Sequence, residues 1–353
     1  MSILLAILLF SLIIFVHELG HFVAAKLSNV QVNEFSMFMG PALVKWKRGE
    51  TQYSIRCIPL GGYCAMEGED EDTDNPRSFQ KAAPWKRFVI LAAGGFMNFV
   101  TALLIMVIVC LPLKQAVVPV IDHFESYSTI DGENGLQPGD EIIKMDGERI
   151  WLRADMDMMF LLNPGNTHDL VVKRDGKTVE LKDFQMEKHP VTLEDGTQVE
   201  MYGMVFQMKE LGFLDRLDLG WRQFLNSGRQ VRLSLQMLLS GKAGVKDLTG
   251  PVGIVSMMSE TANASETALD AFLNLLFFAG FLSTNLGIFN LLPIPATDGG
   301  RIFALVVTTA IERITGKKVN PKYEGYIHGI GMVLLMALLI FVVFKDIFVL
   351  FKG

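Results

Sequence analysis

The stretch Leu12-Ile13-Ile14-Phe15-Val16-His17-Glu18-Leu19-Gly20-His21-Phe22-Val23 decides the fold. It sits inside an apolar run from Ile3 to about Leu27. A helix of that length crosses a hydrocarbon core about 30 Å thick. Two histidines and a glutamate inside such a run are costly, and intramembrane ionisable residues are functional by default. On a helix, positions i and i+4 share a face, so His17 and His21 can bind one zinc ion. Glu18 then lies near the zinc-bound water as general base. The plainer alternative is a helix end with interfacial polar residues. A secretory signal fits poorly, because the run has no basic start and continues into His17, Glu18 and His21 rather than a cleavage site.

The whole composition agrees with a membrane protein. Of 353 residues 50% are hydrophobic and only 20% charged, with 25 Phe and 19 Met, and the mean hydropathy is +0.33. The net charge of -6 offers no basic field for a phosphate backbone, so nucleic-acid binding is not expected. Three cysteines, Cys57, Cys64 and Cys110, cannot build a disulfide framework. The six-residue offset of Cys57 and Cys64 matches no zinc-ligand pair, and both read as reduced and inert. The acidic run Glu67 to Asp74 reads as a solvated loop rather than a metal site.

Three more segments meet the span criterion: Phe88 to Leu113, Ala271 to Leu292, and Tyr326 to about Leu350. The segment between Lys26 and Arg87 is rich in Lys and Arg. So is the loop before the fourth span, with Arg301, Arg313, Lys317, Lys318 and Lys322. Both are therefore expected on the cytoplasmic side, with both termini outside. The fold class expected is a polytopic α-helical membrane protein of four transmembrane helices, with a cytoplasmic membrane-associated β-region and an inserted extracytoplasmic PDZ-like α+β domain. The expected divisions are 1–27 (first span with the zinc motif), 28–87 (β-region and loop), 88–113 (second span), 114–210 (PDZ-like domain), 211–270 (amphipathic interfacial segment), 271–300 (third span), 301–325 (cytoplasmic loop) and 326–353 (fourth span).

In the β-region, Asn33 to Met66 alternates apolar and polar residues, which predicts two or more strands closed by Pro59-Leu60-Gly61-Gly62-Tyr63. In the insertion, Val117 to Ile121, Glu141 to Met145, Leu170 to Arg174 and Val179 to Leu181 read as strands. Turns fall at Asp146-Gly147 and Asp175-Gly176, and a helix runs from about Arg153 to Leu162. The run Glu133-Asn134-Gly135-Leu136-Gln137-Pro138-Gly139-Asp140-Glu141 resembles the signature of a PDZ domain of the bacterial protease type, which binds extended peptide by strand addition. A generic β-rich linker domain is the alternative. Phe213 to Lys246 is amphipathic and reads as an interfacial helix. Gly250-Pro251-Val252-Gly253 reads as a break before the third span.

Zinc needs at least one further protein ligand while one position stays open for water. The best candidate is Asp298 in Asn290-Leu291-Leu292-Pro293-Ile294-Pro295-Ala296-Thr297-Asp298-Gly299-Gly300. It lies at the inner end of the third span, at the depth of His17 and His21. His328, at the inner start of the fourth span, remains the alternative; Asp346, at the outer end, does not.

His-Glu-x-x-His in the first span, Asn-x-x-Pro-x-Pro-x-x-Asp-Gly-Gly in a late span and the PDZ-like insertion between them together resemble the site-2 protease family of intramembrane zinc metalloproteases. The resemblance is greatest to its bacterial regulator-of-sigma-E protease group and covers essentially the whole chain. It implies that His17, His21 and Asp298 bind Zn2+ and that Glu18 is catalytic. It also implies transmembrane protein substrates cleaved within the lipid bilayer of a bacterial inner membrane. Gly94-Gly95-Phe96-Met97-Asn98 resembles the family's Gly-x-x-x-Asn, so Asn98 and Asn290, with Pro293 and Pro295, become expected substrate-binding residues. Without the resemblance, either Asn reads as helix-packing glue. Two features depart from the family: Thr297 stands where Leu is usual, either a hydrogen-bond partner for Asp298 or a change without effect, and only one PDZ-like unit fits the length. A catalytically dead scaffold and a zinc-gated transporter are the readings from other classes.

Overall fold

The computed structural model describes residues 2–69, 73–132, 135–192, 196–242, 244, 250–316 and 322–352. The chain divides into two compact units, 1–109 with 227–353, and 110–226.

Among the described residues, four helices of the first unit are long and apolar enough to span a bilayer. They are α1 (Ser2–Leu27), α2 (Pro84–Cys110), α6 (Ala268–Leu291) and α8 (Lys322–Lys352). Each begins or ends within a few residues of the expected span. Between α1 and α2 lie two long strands, β1 (Val32–Arg48) and β2 (Thr51–Met66). At the expected closure, Pro59–Tyr63, β2 continues as strand but bends at Gly61, whose φ is +69°. A second bend at Phe38 and Gly40 (φ +68° and +83°) folds β1 on itself.

These bends make four rungs from two strands. Residues 34–37 pair with 52–55 on one side and with 62–65 on the other, while 44–48 pair with 51–55. The order across the sheet is therefore 44–48, 51–55, 34–37, 62–65, which leaves 62–65 as an edge. The bent region is clamped by Arg56, which donates to Glu34 Oε1 and Gly40 O, each at 2.7 Å, and to the Tyr63 hydroxyl. Burial raises the Glu34 carboxyl, but hydrogen bonds from Arg56, Ser54 and Tyr63 outweigh it and hold it at about 2.

Aromatic packing lays this sheet along α1. Phe35 stands 5.4 Å from Phe15 and 4.8 Å from Phe22 between ring centroids, and Tyr53 stacks on Trp46 at 5.7 Å. Ala24, Ala25, Val30, Val32, Cys64, Met66, Ile90 and Leu91 complete this buried core.

Two elements were not foreseen as helices. α5 (Pro251–Asn263) starts where a break was expected: Gly250 is its N-cap and Pro251 its first residue, a favoured helix start. The Gly253 amide donates to Asp346 Oδ2 of α8 at 2.9 Å. Asp346 thus anchors the start of α5. α7 (Asp298–Thr315) occupies most of the expected loop 301–325 and ends at Gly316 in the left-handed conformation.

The second unit carries β3 (Gln115–Phe124), β4 (Glu141–Met145), β5 (Glu148–Arg149), α3 (Ala154–Leu162), β6 (Thr167–Arg174), β7 (Lys177–Gln185), β8 (His189–Thr192), β9 (Gln198–Met201) and β10 (Met204–Glu210). Its main sheet has the order β10-β3-β4-β6-β7. Asp146-Gly147 and Asp175-Gly176 have positive φ at both residues, the geometry of a tight hairpin turn. Leu136 and Asp140 are fully buried, and Asp140 takes a bidentate ion pair from Arg174 at 2.7 and 2.8 Å. Glu133 and Asn134 of the expected signature lie outside the described residues. The amphipathic stretch forms α4 (Phe213–Leu239).

Phe35→Ala is expected to cost about 3–5 kcal/mol by opening a cavity between sheet and α1. Maleimide labelling of buried Cys64, in a protein whose Cys57 and Cys110 are serine, should then accelerate.

Candidate metal centre

The centre draws on α1, α2, β2 and the turn between α6 and α7. His17 and His21 lie one helical turn apart on α1, at 6% and 7% exposure. Their Nε2 atoms are 3.2 Å apart, and Asp298 Oδ2 stands 3.1 Å from the first and 3.3 Å from the second. A tetrahedral zinc with bonds of about 2.0–2.1 Å keeps its ligand atoms about 3.3 Å apart, so this triangle fits the ion and leaves its fourth position open. Asp298 Oδ2 is buried and has no hydrogen-bond partner, although two imidazole nitrogens face it. Three converging acceptors without a shared proton are what a cation requires. Among the described residues these three form the group of His, Cys, Asp or Glu able to hold a metal. The His328 side chain lies outside the described ones.

Helix α2 presents one stripe, Ile90, Gly94 and Asn98, to both histidines. His21 Nδ1 donates to Ile90 O at 2.8 Å, which leaves the Nε2 lone pair for the metal. Gly94 permits the approach: a Cβ there would stand 2.4 Å from His21 Nε2 and 2.6 Å from His17 Cε1. Asn98 has no exposed surface, and its Nδ2 is 3.1 Å from His17 Nδ1. Asn290 is half-buried, with Nδ2 3.4 and 3.5 Å from the two His17 ring nitrogens. Pro293 and Pro295 are exposed. Of the four expected substrate residues, only Asn98 is closed off from a substrate.

Glu18 is placed by a contact between helix and sheet. Its Oε2 accepts the Cys64 backbone N–H at 3.1 Å, a donor that edge rung 62–65 does not give to a neighbouring strand. The Cys64 thiol is buried, and desolvation pushes it well above its ordinary value.

The turn carrying Asp298 is tightly determined. α6 stops at Leu292, and the Ile294 amide returns to Leu292 O at 2.7 Å. Ala296 adopts a left-handed φ of +72°. Thr297 is the N-cap of α7: its hydroxyl reaches the Leu292 and Ile294 carbonyls at 3.0 and 2.9 Å and accepts from Gly300 N at 3.3 Å. The hydroxyl therefore fixes the turn, and among its bonds is none to the Asp298 side chain, one of the two outcomes the sequence left open. Thr-Asp at a helix start was a readable capping signal. The Ile90 carbonyl and Cys64 amide had no side-chain signal.

Gly94→Ala is expected to weaken zinc at least tenfold in a chelator competition while α-helix content is kept. Thr297→Val should cost about 1 kcal/mol of stability in thermal unfolding through loss of the cap.

Residues 5–338 match peptidase family M50. A protein of Clostridium perfringens strain 13 is 36% identical over 352 residues, covering 98% of each chain. One of Clostridium acetobutylicum is 35% identical over 356 residues, 98% of this chain and 97% of the relative. Both carry provisional zinc-metalloprotease names. The regulator of sigma-W protease RasP of Bacillus subtilis strain 168 is 28% identical over 425 residues, 97% of each chain.

Proposed function

Since the chain belongs to peptidase family M50 and is an intramembrane zinc metalloprotease, we propose that His17, His21 and Asp298 hold the zinc and Glu18 is the general base. The observation that carries this reading is the 3.1–3.3 Å triangle of ligand atoms beside a glutamate held by a backbone amide. Zinc, when bound, acts as a Lewis acid and brings the pKa of its water toward about 7. Glu18 takes the proton of the attacking water on a carboxylate oxygen and delivers it to the leaving amine nitrogen. The Cys64 amide keeps that carboxylate aimed. Asn290, half-buried beside His17, faces the substrate carbonyl in this reading.

The substrate is a transmembrane segment of another membrane protein, such as an anti-sigma factor or a signal-peptide remnant. Its carbonyls are engaged in helical bonds, so it unwinds before hydrolysis. Its freed backbone groups find no partner in lipid. Rung 62–65 supplies one, an edge beside Glu18 to which an extended segment can add as a further strand.

The orientation follows the basic loops: the β-sheet and α7 on the cytoplasmic side, the second unit and both termini outside, α4 in the outer interface. The second unit is PDZ-like, a reading supported by the buried Leu136 and Asp140 at its Gly-Leu-x-x-Gly-Asp step. It limits which substrates enter.

Glu18→Gln is expected to lower cleavage of a reporter transmembrane substrate by about 10²–10⁴-fold with about one zinc per chain retained. His17→Ala and Asp298→Ala should lose both. Cleavage surviving in Glu18→Gln would remove the proposed base.

A further inference from the structure

Both ends of the α2 stripe carry a polar group aimed at a histidine. At one end the Ile90 carbonyl takes the His21 Nδ1–H. At the other, the Asn98 carboxamide meets His17 Nδ1 with Nδ2 nearest, at 3.1 Å, while Asn98 Oδ1 is buried without a partner.

The ring proton decides which end of the amide belongs there. His17 Nε2 is the nitrogen in the ligand triangle, so its lone pair points into the metal site. The proton of the neutral ring then sits on Nδ1, which must donate. An amide NH2 has no lone pair to accept it, whereas Oδ1 does. A half-turn of the carboxamide exchanges oxygen and nitrogen without moving the backbone. It places Oδ1 on His17 Nδ1–H. The α2 backbone there is already held, since the Asn98 carbonyl accepts from Ser283 Oγ at 2.9 Å.

We propose that Asn98 is a positioning residue whose Oδ1 accepts the His17 Nδ1–H, fixing the tautomer and ring plane in which Nε2 binds zinc. Both ligand histidines then have the same arrangement, with Nε2 to the metal and Nδ1–H to an oxygen of α2. Its full burial takes Asn98 away from the substrate, and of the two asparagines Asn290 alone has a surface for that role. The proposal rests on the reading of His17 as a zinc ligand.

The test measures zinc affinity of the full-length protein in detergent, by competition with a chromophoric chelator, for wild type, Asn98→Asp, Asn98→Leu and His17→Ala. Thermal unfolding of the zinc-free forms and the visible spectrum of the cobalt-loaded forms accompany it. Asn98→Asp keeps an acceptor opposite Nδ1 and should bind zinc within about threefold of wild type. Asn98→Leu has none and should bind about 10–100-fold more weakly, with a changed cobalt spectrum and an unchanged zinc-free melting temperature. If Asn98→Leu does not fold, Asn98→Ala provides the same comparison. Wild-type affinity without the acceptor, or equal losses in Asn98→Asp and Asn98→Leu, would overturn the proposal and leave the metal site intact. Zinc retained by His17→Ala would overturn the ligand reading itself, and the proposal with it.

Discussion

Three polar ligand atoms held within 3.3 Å of one another inside an apolar helix bundle are the constraint on which the structure depends. Acceptors brought this close repel one another, and burial removes the water that would screen them. Such a cluster persists only if the surrounding chain over-determines it and a cation completes it. The helices meet this demand at different points. α1 supplies the i, i+4 pair, α2 supplies room at Gly94 and an acceptor at Ile90, and the α6–α7 turn delivers the carboxylate. The left-handed Ala296 fits the same logic, since a residue in that region costs about 1–3 kcal/mol and persists where packing enforces it.

A second constraint comes from the bilayer. Backbone outside a helix has no solvent to satisfy it there, so strand structure at membrane depth must be buried in protein or line a cavity. The bent β1–β2 sheet satisfies most of its groups internally by folding two strands into four rungs. Of its two edges, 44–48 and 62–65, the second lies beside Glu18. One leftover donor, the Cys64 amide, is spent on the Glu18 carboxylate. In the proposed function the same edge is the surface on which an unwound substrate finds its partners, which would give positioning of the base and recruitment of the substrate to one strand.

The spans, the hairpin turns of the second unit and the triad His17, His21 and Asp298 were legible in the sequence because each rests on side-chain type and spacing. Apolar run length fixes a span, Asp-Gly fixes a tight turn, and His at i and i+4 share a face. What was not legible depends on backbone placed by tertiary packing. Gly250-Pro251 read as a break because glycine and proline break helices, yet the same pair starts one when the proline is first. Residues 301–315 read as a loop because Arg301 and Arg313 flagged a basic segment, although α7 is amphipathic and stops at a glycine in the expected way. Asn98 could be placed near the site by its motif, but only its burial separates its role from that of Asn290.

The proposed metal site and the proposed base also share a mechanical frame. Beyond the Cys64 amide, β2 ends at Met66, whose own amide donates to Glu69 Oε2 at 3.4 Å. The other oxygen of Glu69 takes an ion pair from Arg301, three residues after Asp298 on α7. A path of direct contacts thus runs from Glu18 through β2 and Glu69 to the helix whose first residue is the proposed metal ligand Asp298. Surface ion pairs contribute little, but Arg301 and Glu69 are largely withdrawn from solvent and join elements otherwise separated by more than 200 residues of chain. In this frame the Glu18 carboxylate and the first turn of α7 are both tied to β2 and the residues just after it.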